Sequence, residues 1–277
     1  MNWLIHKLIN NPTGLLGFII VLGVILAAIF APFISPYHPE KADRPNRLQP
    51  PLSSGHLLGT DQAGRDLLSR TIYGARISLM VGFSAVAAAS LLGTILGLMA
   101  GYFGGWMDTI ISRIVDVWLS FPFILLALVV NALLGLGLRN IIITLTLTGW
   151  VMYARLVRGE VLSIKEREFV EAARALGQSD APILFRHILP NVITPIIIMC
   201  SLQMSQVIVA EATISFLGFG VQPPTPAWGN MLSAGRDYLM SAWWMTAFPG
   251  AALAVTALGV NLMGDWLRDV LDPKLDT

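Results

Sequence analysis

Leu79-Met-Val-Gly-Phe-Ser-Ala-Val-Ala-Ala-Ala-Ser-Leu-Leu-Gly-Thr-Ile-Leu-Gly-Leu-Met-Ala100 carries no charged side chain. A hydrocarbon core about 30 Å thick needs about 20 mostly apolar helical residues to cross it, and this run is long enough. The same kind of text recurs on both sides. Val117–Leu138, Ile188–Ala210 and Tyr238–Gly264 are uncharged, Leu15–Ala31 follows a short polar start, and Asn140–Ala154 lies between Arg139 and Arg155. Backbone polar groups in lipid must be satisfied within the segment, so these runs are predicted as helices, and the alternating pattern of a barrel is absent. The expected fold is all-α and polytopic, with six transmembrane helices. Of 277 residues, 55% are hydrophobic and 13% charged, about half the charged share of a soluble domain, which leaves no room for a large soluble unit.

The first run could be mistaken for a cleaved signal, with Lys7 ahead of it and Ala27–Ala31 at its end. It exceeds the roughly 7–15 residues of a signal core and five more spans follow, so it reads as an uncleaved first helix. A formal charge of +1 gives no basic field for nucleic acid. Cys200 is the one cysteine, which rules out an intrachain disulfide and argues against a cysteine-based metal site. His6, His38, His56 and His187 are scattered without ligand spacing, so no metal is expected. The chain has no Gly-x-x-x-x-Gly-Lys-Ser/Thr loop for ATP and no nucleophile–base signature, and reads as a protein without enzymatic activity or cofactor of its own.

Three hydrophilic stretches interrupt the apolar text. Residues 34–77 open with Pro36 and Pro39 and become charged around Asp61, Arg65, Asp66, Arg70 and Arg76, with Arg65–Ser69 able to open a short interfacial helix. Residues 155–187 form the second stretch, and residues 215–237 the third, broken by Gly218, Gly220, Pro223, Pro224 and Pro226. The expected organisation is a start and first helix over 1–33, an outer segment over 34–77, a five-helix core over 78–270 and a tail over 271–277. Lysine and arginine do not orient it: with the N-terminus inside, ten of the 18 lie on the inner side and eight outside.

The second stretch holds Ser163-Ile-Lys-Glu-Arg-Glu-Phe-Val-Glu-Ala-Ala-Arg-Ala-Leu-Gly177. Ser163 and Glu166 have the spacing of a capping box. Phe169, Ala172, Ala173 and Leu176 recur at helical spacing and predict one apolar face. Gly177 is placed to end the helix in a left-handed conformation, and Ser179 to cap a second short helix that Pro190 closes. Periodicity alone is equally met by an ordinary interfacial loop helix.

The residue identities add a resemblance. Glu171-Ala172-Ala173, then Gly177, then Ile188-Leu189-Pro190, one residue shorter in its tail than the common form, resembles the EAA loop of bacterial ABC importer permeases. Gly59-Thr-Asp-x-x-Gly-Arg-Asp66, Ala100-Gly-Tyr-Phe-Gly-Gly105, Phe216-Leu-Gly-Phe-Gly220, Pro223-Pro-Thr-Pro-x-Trp-Gly229 and Asn261-Leu-Met-Gly-Asp265 resemble the dipeptide/oligopeptide/nickel permease family, and within it the C-type subunit. The resemblance implies the type I importer permease fold, with a second, different permease subunit, two ATPases that hold the ATP and magnesium, and an external substrate-binding protein. It implies a bacterial inner-membrane location, with the EAA loop (about residues 158–190) and both termini cytoplasmic. Glu171, Ala172, Ala173, Leu176, Gly177, Leu189 and Pro190 would then couple to the ATPases, and the substrate would be a short peptide, or a nickel chelate or other small solute. An ion-coupled secondary transporter is the rival class; it would need a membrane-embedded charge relay, often with repeated architecture, and neither is evident.

Polar residues within the spans remain. Met199, Gln203 and Gln206 fall at i, i+4, i+7, Thr144 and Thr148 at i, i+4, and Asn261 lies on the last span. They read either as interhelical hydrogen bonds or as the neutral lining of a path. Glu211 ends the fifth span and either pairs at the outer interface or gates the outer mouth. Arg113 and Asp116, three apart, are spaced to pair locally. Gly93, Gly97 and Gly101 share one face, for packing inside the chain or against a second permease.

Overall fold

The computed structural model describes residues 7–53 and 55–271, so His6 and all of the expected tail beyond Leu271 lie outside the described residues. The described residues are mainly helical, without a named strand, and those over 35–66 are loop apart from a short turn at Arg44–Asn46. Helix α1 (Pro12–Ile34) starts with proline in its first turn, where no N–H is needed, and Asn11 accepts from the Gly14 N–H at 2.8 Å. Helix α2 (Leu67–Phe103) starts well ahead of the expected span. Asp66 caps it, accepting from the Ser69 N–H at 2.8 Å and the Ser69 hydroxyl at 2.7 Å. No Pro interrupts Leu67–Phe103, so the charged end of the expected loop continues straight into the span.

The expected third span is broken. Helices α3 (Gly105–Leu119) and α4 (Phe123–Leu134) meet at an angle of 97°. Pro122 lies at the break: it supplies no N–H and forces Phe121 away from helical backbone. Among the described residues five helices are long and apolar enough to cross a membrane, and the spans number six when the bent pair counts as one. Helix α5 (Leu138–Ile164), the short α6 (Glu168–Ala175), α7 (Asp180–Phe216), the short α8 (Trp228–Gly235) and α9 (Trp244–Leu271) follow.

Two local expectations are corrected. Ser163 does not open a helix; it lies inside α5, whose buried face continues through Val157, Val161 and Ile164. Nor does Pro190 close one. Residues Ile183–Ile188 widen into a π-helical turn just before it, a wider ring that accommodates a missing donor, and α7 runs on. Ser179 precedes α7 but makes no side-chain cap bond.

The glycine face settles between its two readings. A Cβ at Gly97 would lie 2.7 Å from the Ala154 carbonyl and the Val157 side chain, and one at Gly101 would lie 2.8 Å from Val161. Gly93 faces Trp150 and Tyr153 in the same way. The three glycines are therefore the seam between α2 and α5. A second seam joins α1 to α9, where Gly14 faces Trp266 and Gly17 faces Leu262 and Met263.

At the end of the bundle away from α6, the loop over residues 35–66 is tied by charge. Asp61 accepts from Arg65 Nε at 2.7 Å and faces Arg70 Nε at 3.5 Å. Arg70 also donates to the carbonyls of Pro39 (2.9 Å) and Pro224 (3.2 Å), and Trp244 Nε1 donates to the Thr60 carbonyl at 3.1 Å. The Gly-Thr-Asp-x-x-Gly-Arg-Asp motif thus joins the first loop, α2, the Gly/Pro stretch and α9.

Gly97→Leu is expected to destabilise the purified chain in detergent by about 1–3 kcal/mol, as overpacking does. Gly159→Leu on the same pair of helices, where an added Cβ meets nothing within 4 Å, should leave the thermal midpoint nearly unchanged.

Candidate translocation path and coupling segment

Helix α6 is short and strongly two-sided, and its inward side is small. Val170 and Ala173 are buried, in one cluster with Val157, Val161 and Ile164 of α5, Ile183, Ile188 and Val192 of α7, and Tyr102 near the end of α2. Polar ties reinforce it. Tyr102 donates to Asp180 at 2.6 Å, the Arg174 guanidinium lies over the Tyr102 ring at 5.6 Å, and Lys165 Nζ donates to the Gly101 carbonyl at 3.1 Å. The segment is therefore fixed to the ends of three long helices.

The face that α6 turns outward differs from the predicted one. Phe169, Ala172 and Leu176 share it, Leu176 being 82% exposed, whereas Ala173 belongs to the inward face. Grouping these four as one face missed that Ala173 lies one position round the helix from Ala172, and that Val170 is its inward partner. Glu171 is exposed, and so are Phe185 of α7 and Pro190, while Leu189 is half-buried. Gly177 ends α6 at φ +79°, with its N–H on the Arg174 carbonyl (2.9 Å) and the Gln178 N–H on the Ala173 carbonyl (3.1 Å). That is the left-handed ending expected of it.

Between α4, α5, α7 and α9 lies a cavity of about 600 Å³ lined by Phe123, Leu145, Thr148, Gln203, Gln206 and Asn261 among others. Four of the six predicted lining residues come together here. Gln203 and Gln206 form no side-chain hydrogen bond among the described residues, so they are not links between helices of this chain. Asn261 accepts from Ser205, and Thr148 bonds the Thr144 carbonyl at 2.9 Å. Thr144 and Met199 are not at the cavity. Thr144 is buried and donates to Asn131 at 3.4 Å; Met199 packs beside Val86, Ala89 and Tyr153. Asn131, fully buried on α4 with its amide on the Phe219 carbonyl, joins α4 to the Gly/Pro stretch; its place inside an apolar run was the available signal.

Glu211 is fully buried. It accepts from Ser78 of α2 at 3.2 Å and from Ser215 at 2.7 Å, and Ser215 in turn accepts from the Val221 N–H at 3.2 Å. No ion pair reaches it among the described residues. Arg113 and Asp116 do not pair with each other; the ion pair nearby joins Asp108 of α3 to Arg158 of α5, bidentate at 2.5 and 2.7 Å.

Comparison with known proteins adds the family. Residues 93–277 match the family described as binding-protein-dependent transport system inner membrane component, and residues 3–51 match the N-terminal TM domain of oligopeptide transport permease C. The dipeptide transport system permease protein DppC of Alkalihalophilus pseudofirmus is 46% identical over 97% of this chain and 88% of its own length. The di/tripeptide transport system permease protein DppC of Pseudomonas aeruginosa is 42% identical, over 96% and 89%. The glutathione transport system permease protein GsiD of Pectobacterium atrosepticum is 44% identical, over 98% and 90%. Among solved structures, a chain of the MetNI methionine ABC transporter in an inward-facing conformation superposes with a TM-score of 0.58 at 20% identity, covering 74% of this chain and 96% of that one, a likeness of fold.

Gly177→Val should loosen the end of α6 by about 1–2 kcal/mol, because a branched side chain resists left-handed backbone, whereas Gly177→Asn should keep it. Faster amide exchange at Gln178 in the valine variant alone is the expected reading.

Proposed function

Because the chain belongs to the family of binding-protein-dependent transport system inner membrane components, we propose that it works as one permease subunit of an ATP-driven importer and passes short peptides across the membrane by alternating access. The cavity with two free glutamine amides supports this reading most directly. An uncharged polar lining can solvate a peptide backbone without choosing among side chains, and that suits a permease whose substrate is selected elsewhere. The names of the relatives, which include dipeptide and di/tripeptide permeases, support the substrate class.

The partners follow from the machinery: a second, different permease, two ATPases that carry the nucleotide and its magnesium, and an external binding protein. In this reading α6 is the coupling helix and faces the cytoplasm with both termini. Its exposed Phe169, Ala172 and Leu176 enter a cleft on an ATPase, the small Ala172 letting the backbones approach, while Glu171 orients it. The packing of Val170 and Ala173 against α5 and α7 would carry the ATPase movement into the spans. On the other side Glu211 serves as the outer gate: its bond to Ser78 ties α7 to α2, and opening there would part it.

One labelling experiment tests orientation and docking together. In a Cys200→Ala background, Leu52→Cys should react with an impermeant thiol reagent from outside and Ser179→Cys from inside only. Bound ATPase should slow the Ser179→Cys reaction. The reversed pattern would sink the coupling assignment. For the path, Gln203→Leu with Gln206→Leu should cut peptide uptake at least tenfold with the four-subunit complex still assembled; unchanged uptake removes both amides from the path.

A further inference from the structure

A second cavity, of about 460 Å³, lies between α3 and α5, lined by Ile111, Ser112, Asp116, Arg155 and Arg158 among others. Its charged groups are of two kinds. Arg158 is committed to Asp108, and Ser112 donates to the same carboxylate at 3.1 Å. Arg155 and Asp116 both line the cavity, yet neither side chain has an ion pair or hydrogen bond among the described residues.

The position of Arg155 connects the two cavities. Thr148, Met152 and Arg155 stand at i, i+4 and i+7 on α5 and so share one face. Thr148 and Met152 line the neutral cavity, and Arg155 comes next along the same stripe toward α6. A solute moving from the neutral cavity toward the α6 end therefore reaches one uncommitted cation and one uncommitted anion. A guanidinium binds a carboxylate through two parallel N–H bonds, and a carboxylate accepts from an ammonium. Every unblocked peptide carries one carboxylate and one ammonium at its ends, whatever its side chains. The volume falls within the range of small-ligand sites, about 300–1,000 Å³. A lone anion such as a lipid phosphate would satisfy Arg155 but be repelled by Asp116.

We propose that this cavity is a second station for the transported peptide, where Arg155 takes the C-terminal carboxylate and Asp116 the N-terminal ammonium. The inference rests on the peptide-permease reading and deepens it. Neither Arg155 nor Asp116 is buried within the chain, so neither contact is fully desolvated by it and the hold is weak, as a release point requires.

The test uses the complete importer reconstituted in vesicles with its ATPases and binding protein, and labelled dialanine as probe. If the wild-type complex imports neither dialanine nor any other short peptide, the peptide reading falls and the station with it. With wild-type uptake intact, Arg155→Gln and Asp116→Asn should each lower dialanine delivered per ATP several-fold while binding-protein-stimulated hydrolysis persists. Unchanged delivery in both variants overturns the station alone. Loss of hydrolysis also overturns it, in favour of a subunit contact, and so does an effect that vanishes in vesicles free of anionic lipid. Independently, dialanine at millimolar concentration should slow alkylation of an Ile111→Cys, Cys200→Ala variant several-fold. Dialanine amide, which lacks the carboxylate, should protect less, and Arg155→Gln should abolish the protection; no protection by dialanine counts against the station.

Discussion

The close approach of α2 and α5 governs what the rest of the chain can do. Lipid tails are as apolar as leucine, so helices in a membrane associate by packing and hydrogen bonding rather than by escaping the solvent. Gly93, Gly97 and Gly101 supply that packing by exposing backbone to α5, and a side chain at Gly97 or Gly101 would strike α5 within 3 Å. Once α5 is fixed, three of its surfaces acquire their places. Val157, Val161 and Ile164 become the support for α6, Thr148 and Met152 face the neutral cavity, and Arg158 reaches Asp108.

The two ends of the bundle are held by different chemistry. At the α8 end, charges and carbonyls make the ties: Asp61 with Arg65 and Arg70, Arg70 with two proline carbonyls, and Glu211 with two hydroxyls. Removing one partner from such a buried set leaves a polar group without compensation, so these ties are directional and hard to shift. The α6 end is held mainly by apolar contact around Val170 and Ala173, with Tyr102 and Lys165 at its edge. Apolar contacts tolerate small displacements better than hydrogen bonds do. That contrast places compliance where a partner would push.

The spans were legible because lipid imposes a length and forbids charge, and both leave a direct mark on the sequence. Gly177 was legible because a left-handed residue after an apolar helical stripe is nearly always glycine. Two of the failures share a cause: a local signal met a longer-range demand. The Ser163–Glu166 spacing fits a cap, but the buried face of α5 carries the helix past it. Pro190 should end a helix, but a π-helical turn absorbs it. Pro122 stands inside Val117–Leu138, and a proline within an apolar run is itself the mark of a break. Which face of α6 points outward, and the reach of Asp108 to Arg158 across fifty positions, depend on how helices are juxtaposed, and no single-helix period contains that.

The distribution of charge between the two cavities has a physical logic. A fixed charge within a membrane-spanning bundle either needs a partner or binds its counterpart too tightly to release it, and the residues lining the cavity between α4, α5, α7 and α9 include none. The one acidic side chain nearby, Glu211, is turned to Ser78 and Ser215 instead of lining that space. Toward α6, Arg155 and Asp116 are exposed and stand without internal partners among the described residues. Amides thus line the cavity between α4, α5, α7 and α9, and charges the one between α3 and α5. On the proposed function, a zwitterionic peptide would gain hydrogen bonds first and charge contacts afterwards, each weak enough to leave. Because α5 contributes residues to both cavities and supports α6, a push on α6 would, on the proposed function, also move the lining that the path presents to its solute.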